Sequence, residues 1–234
     1  MSKQDTNTDS GLEFLTSSEG LADELGRVEK VLEKNRKFLF IIGGGLVVLL
    51  AAWFGYQWYI NSQDEQAQSA LFAPVFAAEA DSLNKALKGT AGNPGLKDIA
   101  DEYSNTPAGK LANLVAGSVL MKQGKFDEAI EHLKAFNAPD LLVQASAYAL
   151  LGDAYSEKNN YEEAISYYEK AASHKPSKEF TPGYLMKLAI VQEKVKKNKE
   201  ALETYDKIIE TYPQAPQTLN AKKLKGVLES TMGE

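Results

Sequence analysis

From Phe38 to Gln63 the chain carries no charged residue, and Phe38 to Ile60 reads FLFIIGGGLVVLLAAWFGYQWYI. As a helix those 23 residues would span about 34 Å, enough to cross a hydrocarbon core of about 30 Å. A buried core helix is rarely so long or so uniformly apolar. Trp53, Tyr56, Trp58 and Tyr59 gather at its C-terminal end, where amphipathic rings favour the membrane interface. Lys30, Lys34, Arg36 and Lys37 precede the run, and no Lys or Arg follows it until Lys85. The positive-inside rule therefore predicts residues 1–37 in the cytoplasm and residues 61–234 outside. A cleavable signal peptide would have a shorter apolar core and small residues where this chain places aromatics. The sequence thus predicts an uncleaved signal anchor over 38–60. Gly43, Gly44 and Gly45 make no phosphate loop, because no Lys-Ser/Thr follows them. Ala51 and Gly55 have the small-xxx-small spacing that seats a partner helix, although small residues are common in membrane helices in any case.

In the leader, Leu21, Leu25, Val28 and Leu32 recur at helical spacing behind a Ser18 cap. This stripe is too short for a coiled coil. It either lies on the membrane or a partner, or is a solvated extension of the anchor.

The rest of the chain bounds its chemistry by what it lacks. With no cysteine there is no disulfide, no thiol nucleophile and no Cys-ligated metal. A net charge of −6 disfavours non-specific nucleic-acid binding, which needs clustered cations facing phosphate. The two histidines, His132 and His174, have no nearby ligand partner in sequence, so surface or helix-capping roles are expected of both. Asp127-Glu128 and Glu162-Glu163 each open a helix, where carboxylates complement the dipole rather than forming a catalytic dyad. Lys194, Lys196, Lys197 and Lys199 read as a solvated turn. No cofactor, metal, nucleic-acid or small-molecule site is expected, and the chain is expected not to be an enzyme.

Residues 61–234 show no strand alternation but do repeat. KFDEAIEHLKAF (125–136), NYEEAISYYEKA (160–171) and NKEALETYDKII (198–209) align on Ala129, Ala164 and Ala201, at steps of 35 and 37 residues. Within 145–178, Tyr148, Leu151-Gly152, Tyr155, Tyr161, Ala164, Tyr168, Ala171 and Pro176 fall on the pattern of the tetratricopeptide repeat, which this stretch resembles. Gly152 and Ala164 are small where helices A and B of a repeat cross, and Pro176 ends helix B. Two more degenerate repeats flank it, at 110–143 and 182–215. In the first, Asn113 and Leu120 replace aromatics. The expected fold is all-α, a single transmembrane helix followed by a tetratricopeptide-type helical solenoid. Its divisions are a leader (1–37), the membrane helix (38–60), a helical lead-in with a divergent first pair (61–109), three repeats (110–215) and a capping helix (216–234). Pro74 is expected to start or kink a helix in the lead-in, and Lys222, Lys223 and Lys225 to keep the cap's end face wet.

A short basic-flanked leader, one anchor and an outer repeat domain together resemble the YfgM-type ancillary subunits of the bacterial Sec translocon, with similarity to single-pass repeat proteins of Bacteroidota. The resemblance implies a bacterial inner-membrane protein with a periplasmic C-terminal domain. Its implied partners are Sec translocon subunits and periplasmic chaperones or clients. The alternative is a scaffold coordinating cell-wall or outer-membrane assembly. In the repeat family, helix A lines a concave groove at its second, fifth, ninth and twelfth positions. These carry over to Leu111, Leu114, Ser118 and Met121; to Ser146, Ala149, Asp153 and Ser156; and to Gly183, Met186, Ile190 and Glu193. The family's carboxylate clamp needs Lys and Asn at such positions; Leu114 and Ser118 stand in the first repeat instead, so no clamp is implied. The candidate partner-binding residues are Leu114, Met121, Asp153, Met186, Ile190 and Glu193. The competing reading packs some of them beneath flanking helices.

Overall fold

The computed structural model describes residues 35–138 and 142–233; the leader stripe of Leu21, Leu25, Val28 and Leu32 lies outside them. The chain divides at Tyr59/Ile60 into two units. In the first, residues 36–59 are helical and every one of them is exposed. They belong to helix α1 (Arg36–Glu79), among the described residues the one helix long and apolar enough to cross a membrane. A helix apolar on all sides is what a bilayer-facing segment requires.

The second unit opens with the remainder of α1 and continues through α2 (Leu83–Lys88), α3 (Leu96–Glu102) and seven further helices. Three helix pairs follow: α4 (Pro107–Lys122) with α5 (Phe126–Ala135), α6 (Val143–Glu157) with α7 (Tyr161–Ser173), and α8 (Thr181–Lys194) with α9 (Asn198–Thr211). Helix α10 (Gln217–Met232) packs on α9 and α8. From α2 onward each helix packs on its neighbours in sequence, as in a solenoid. Among the described residues the only bridge between extended residues is the isolated Thr90–Asn93 pair, inside the turn that joins α2 to α3.

Pro74 starts no helix: α1 runs through it. Its ring is buried on the same face as Leu71 and Ala78, and that packing offsets the backbone hydrogen bond a proline cannot make. Asp64, four residues after Ile60, turns its carboxylate onto the start of α4 and accepts the Ala108 N–H at 2.7 Å. Thr106 accepts the Gly109 N–H at 3.0 Å, and Pro107 follows at the first helical position, where its missing N–H costs nothing.

One device ends the first helix of each pair. Gly124, Asn159 and Lys196 all take positive φ (71°, 59° and 62°). The next residue's N–H reaches back five residues, Lys125 to Leu120 O, Asn160 to Tyr155 O and Lys197 to Gln192 O, at 3.0, 2.9 and 2.9 Å. These are Schellman turns, which satisfy carbonyls a helix end leaves free. Asp81 (φ 54°) ends α1 in the same way, with Ser82 N–H on Ala77 O. Glycine adopts this conformation freely and asparagine tolerates it, but lysine is strained by about 1 kcal/mol.

Within each pair the helices approach at a small residue. A Cβ added at Gly117 would lie 2.6 Å from the Leu133 side chain, and one at Gly152 would lie 2.6 Å from the Tyr168 ring. Ala189 is the fully buried small residue of α8 in the third pair, within the same core cluster as Tyr205. Gly152→Ala should therefore destabilise the domain by about 1–3 kcal/mol, and Gly152→Leu by more, since overpacking displaces a ring held by its own neighbours. Gly226→Ala, at a position with open space around it, should stabilise by up to about 1 kcal/mol from helix propensity. Lys196→Gly should also stabilise, by up to about 1 kcal/mol. Denaturant unfolding of the four variants checks this ordering; a Gly152→Leu protein as stable as the parent would refute the close crossing.

Candidate protein-interaction surface

The first helix of each pair presents the positions expected to line a groove, but the structure divides them. Leu114 and Met121 are half-buried and pack on the cluster of Ile130, Leu133, Leu151 and Ala154. Met186 is half-buried against a different cluster, that of Leu185, Leu188 and Tyr205. Ala149 is buried. Only Ile190, 47% exposed, and Leu111, 42% exposed, count as exposed large apolar side chains among these positions. They do not merge into one continuous apolar strip.

The two carboxylates are engaged within the domain. Asp153 accepts the Tyr168 hydroxyl at 2.7 Å and the Lys187 ammonium at 2.6 and 2.7 Å, so it links α6, α7 and α8. Glu193 accepts the Tyr205 hydroxyl. Burial pushes both phenols well above their ordinary pKa, and the adjacent carboxylates push further in the same direction, so each tyrosine stays a neutral donor. Ser146 Oγ lies 3.0 Å from Tyr184 OH, a further link from α6 to α8.

Three expectations for charged residues are corrected. His132 is neither a surface nor a capping residue. It is half-buried, and its Nδ1 meets Asn113 Oδ1 at 2.8 Å across the α4–α5 seam, while Asn113 Nδ2 donates to Gly109 O at 3.4 Å. Asn113, standing where the repeat pattern favours an aromatic, is the buried partner that makes a histidine acceptable there. Burial lowers the His132 pKa, and nearby Lys97 lowers it further, against the opposite pull of Asp101, Glu131 and Glu128. The lysine turn is not simply solvated. Lys197 pairs with Glu162 of the preceding pair at 2.6 Å, and Lys194 lies 4.6 Å from the Tyr161 ring centroid. Lys225 of the cap pairs with Asp206 at 2.5 Å, while Lys222 and Lys223 are exposed.

Sequence reasoning missed one apolar-lined concavity. It lies between α1 and α4 and holds about 620 Å³, lined by Gln68, Leu71, Pro107, Leu111, Phe136 and Val143, with Lys110 at its rim. A second lobe of about 360 Å³ shares Gln68, Leu71 and Leu111 and continues along Phe72, Val75, Phe76 and Glu79. Phe72 and Phe76, one helical turn apart, are 79% and 64% exposed. That i,i+4 aromatic pair was the available signal. Ala51 and Gly55 are exposed in the first unit. Among the described residues no three His, Asp or Glu side chains converge as a metal site.

Residues 63–221, more than half of the chain, match the tetratricopeptide repeat protein 21 C-terminal ARM domain, and the chain belongs to that family. Among solved structures it is similar to MamA, at 21% identity over 68% of this chain and 84% of that one, with a TM-score of 0.56. It is also similar to a putative kinesin light chain with nearly identical TPR-like repeats from Podosopora anserina, at 14% identity over 75% and 87%, with a TM-score of 0.54. At these identities the likeness is one of fold. No curated protein matches the sequence. The family and the similar structures are helical-repeat scaffolds, a fold suited to binding other proteins, and no catalytic family is indicated.

Ile190→Asp should leave the thermal midpoint nearly unchanged. Met186→Asp should cost several kcal/mol, because it places a carboxylate against the apolar cluster. For His132 the folded pKa lies below the unfolded value of about 6.5, so the unfolded state binds more protons and stability falls as pH drops below that value. His132→Gln should flatten the decline between pH 7 and 5 in urea titrations, and an unchanged slope would show that His132 does not contribute.

Proposed function

We propose that the chain is a non-enzymatic, single-pass adaptor of the bacterial inner membrane, its leader cytoplasmic and its repeat domain periplasmic, working beside the Sec translocon on translocated or periplasmic proteins. The observation that carries this reading is the pairing of one bilayer-length apolar helix with a repeat scaffold on the same chain. Lys30, Lys34, Arg36 and Lys37 flank the apolar run on its N-terminal side and no Lys or Arg follows it before Lys85, which supports the orientation. The repeat fold supports protein partners, and an anchored scaffold meets segments emerging from a channel at high local concentration. Ala51 and Gly55 give the membrane helix a face on which another helix can pack closely.

Photo-crosslinkers at Gly55 and at Ile190 in native membranes should capture translocon subunits from the first position and periplasmic chaperones or clients from the second. Recovery of cell-wall synthases without any translocon subunit would replace this reading with the envelope scaffold. Protease added to spheroplasts should digest the chain after Ile60 and spare an N-terminal tag; loss of the tag with the repeats protected would overturn the orientation.

A further inference from the structure

We propose that the two-lobed groove between α1 and α4 is the seat of an amphipathic helix from a partner protein, bound with its apolar stripe on Leu71, Leu111, Phe72 and Phe76 and an acidic residue over Lys110. The proposal deepens the reading of the domain as a protein-binding scaffold and rests on it.

The chemistry of the walls selects the occupant. Along Gln68–Glu79 the groove follows roughly three turns of α1. Its floor is apolar side chain, and the Gln68 amide already donates to Asp64 Oδ2 at 2.6 Å. An extended segment laid there would leave half its backbone N–H and C=O groups against hydrocarbon, with no strand edge to receive them. A helix satisfies those groups internally and presents apolar residues at i, i+3, i+4 and i+7. The two lobes differ in charge. Lys110 is the cation of the larger lobe and, among the described residues, has no ion-pair partner; Glu79 closes the smaller lobe. A helix with an acidic residue at one end of its stripe and a basic residue at the other complements both.

The N–H groups at the start of α4 are not open to a ligand, since Asp64 and Thr106 hold those of Ala108 and Gly109. Recognition therefore runs through side chains. Phe72 and Phe76 flank the floor and can close over the occupant, the arrangement in which aromatic side chains carry most of an interface's energy.

The test uses the full chain in lipid nanodiscs and two labelled, amidated peptides of about 18 residues. Both carry Leu at i, i+3, i+4 and i+7. One has Glu and Lys at opposite ends of the stripe, and the other has Lys at both. By fluorescence anisotropy the first should bind several-fold more tightly. Lys110→Glu should reverse that preference, and Leu111→Glu or Phe76→Glu, at exposed positions that leave circular dichroism unchanged, should weaken binding tenfold or more. Failure of both peptides to bind, or binding indifferent to all three substitutions, overturns the proposal. If sodium oleate fills the groove while neither peptide does, the occupant is an acyl chain and the helix is wrong. Capture of proteins by a crosslinker at Ile190, with no peptide bound here, would remove this groove and leave the scaffold reading standing.

Discussion

How closely the two helices of each pair can approach governs everything else in the repeat domain. Where the first helix carries Gly117 or Gly152, its backbone approaches the side chain of Leu133 or Tyr168 with no room for a methyl group. That contact fixes the crossing point and hence the direction in which the next pair stacks. It also explains the chemistry beside it. A large residue driven into so close a crossing is buried along its length, so a tyrosine there must find an acceptor for its hydroxyl. Asp153 supplies one for Tyr168 and Glu193 one for Tyr205. The first pair solves the same seam differently, with aliphatic Leu133 at the crossing and the Asn113–His132 bond nearby.

Between pairs the links are of another kind. Lys97 with Glu128, Lys158 with Asp127, and Lys197 with Glu162 each tie a helix-opening carboxylate to a lysine from a neighbouring element, and Lys225 ties the cap to Asp206. These are surface pairs, screened by solvent and individually weak. They cannot hold the solenoid together. Their contribution is to favour one stacking register over its neighbours, while the apolar clusters supply the stability. Asp127 and Glu162 therefore do two things: they complement the dipole at the start of their own helices and they engage the following turn.

The architecture was legible because it rests on periodicity. The apolar run, the 35- and 37-residue steps and the small residues at Gly152 and Ala164 are local patterns, and each maps onto an element the structure contains. Positive φ at Gly124, Asn159 and Lys196 follows the same steps, although a lysine in that place conceals the turn from a reader looking for glycine. Side-chain partners were less legible. Asp153 and Glu193 sit at positions a groove would use, and nothing local reveals that tyrosines 15 and 12 residues later take them up. His132 looked solitary because its partner, Asn113, lies 19 residues away on another helix. The groove over Leu71 and Leu111 was hidden for the same reason: its walls come from segments 40 residues apart.

Once Asp153 and Glu193 are engaged internally, the surface left for a partner is defined by apolar exposure and single charges such as Lys110. Such a surface discriminates weakly between apolar sequences, because a missing or extra methylene changes binding by only about 1–3 kcal/mol. Selectivity then has to come from shape, from the requirement that an occupant satisfy its own backbone, and from single charges placed at the rim. The groove beside α1 meets those conditions better than the first-helix positions do, since Ala149 is buried and Leu114, Met121 and Met186 lean into separate clusters. On the proposed reading, confinement to a membrane compensates for modest intrinsic affinity by raising effective concentration. On that reading a groove that binds any one segment weakly suits a scaffold that must release it again, and the proposed contact leaves the Asp153–Tyr168 and Glu193–Tyr205 pairs outside it.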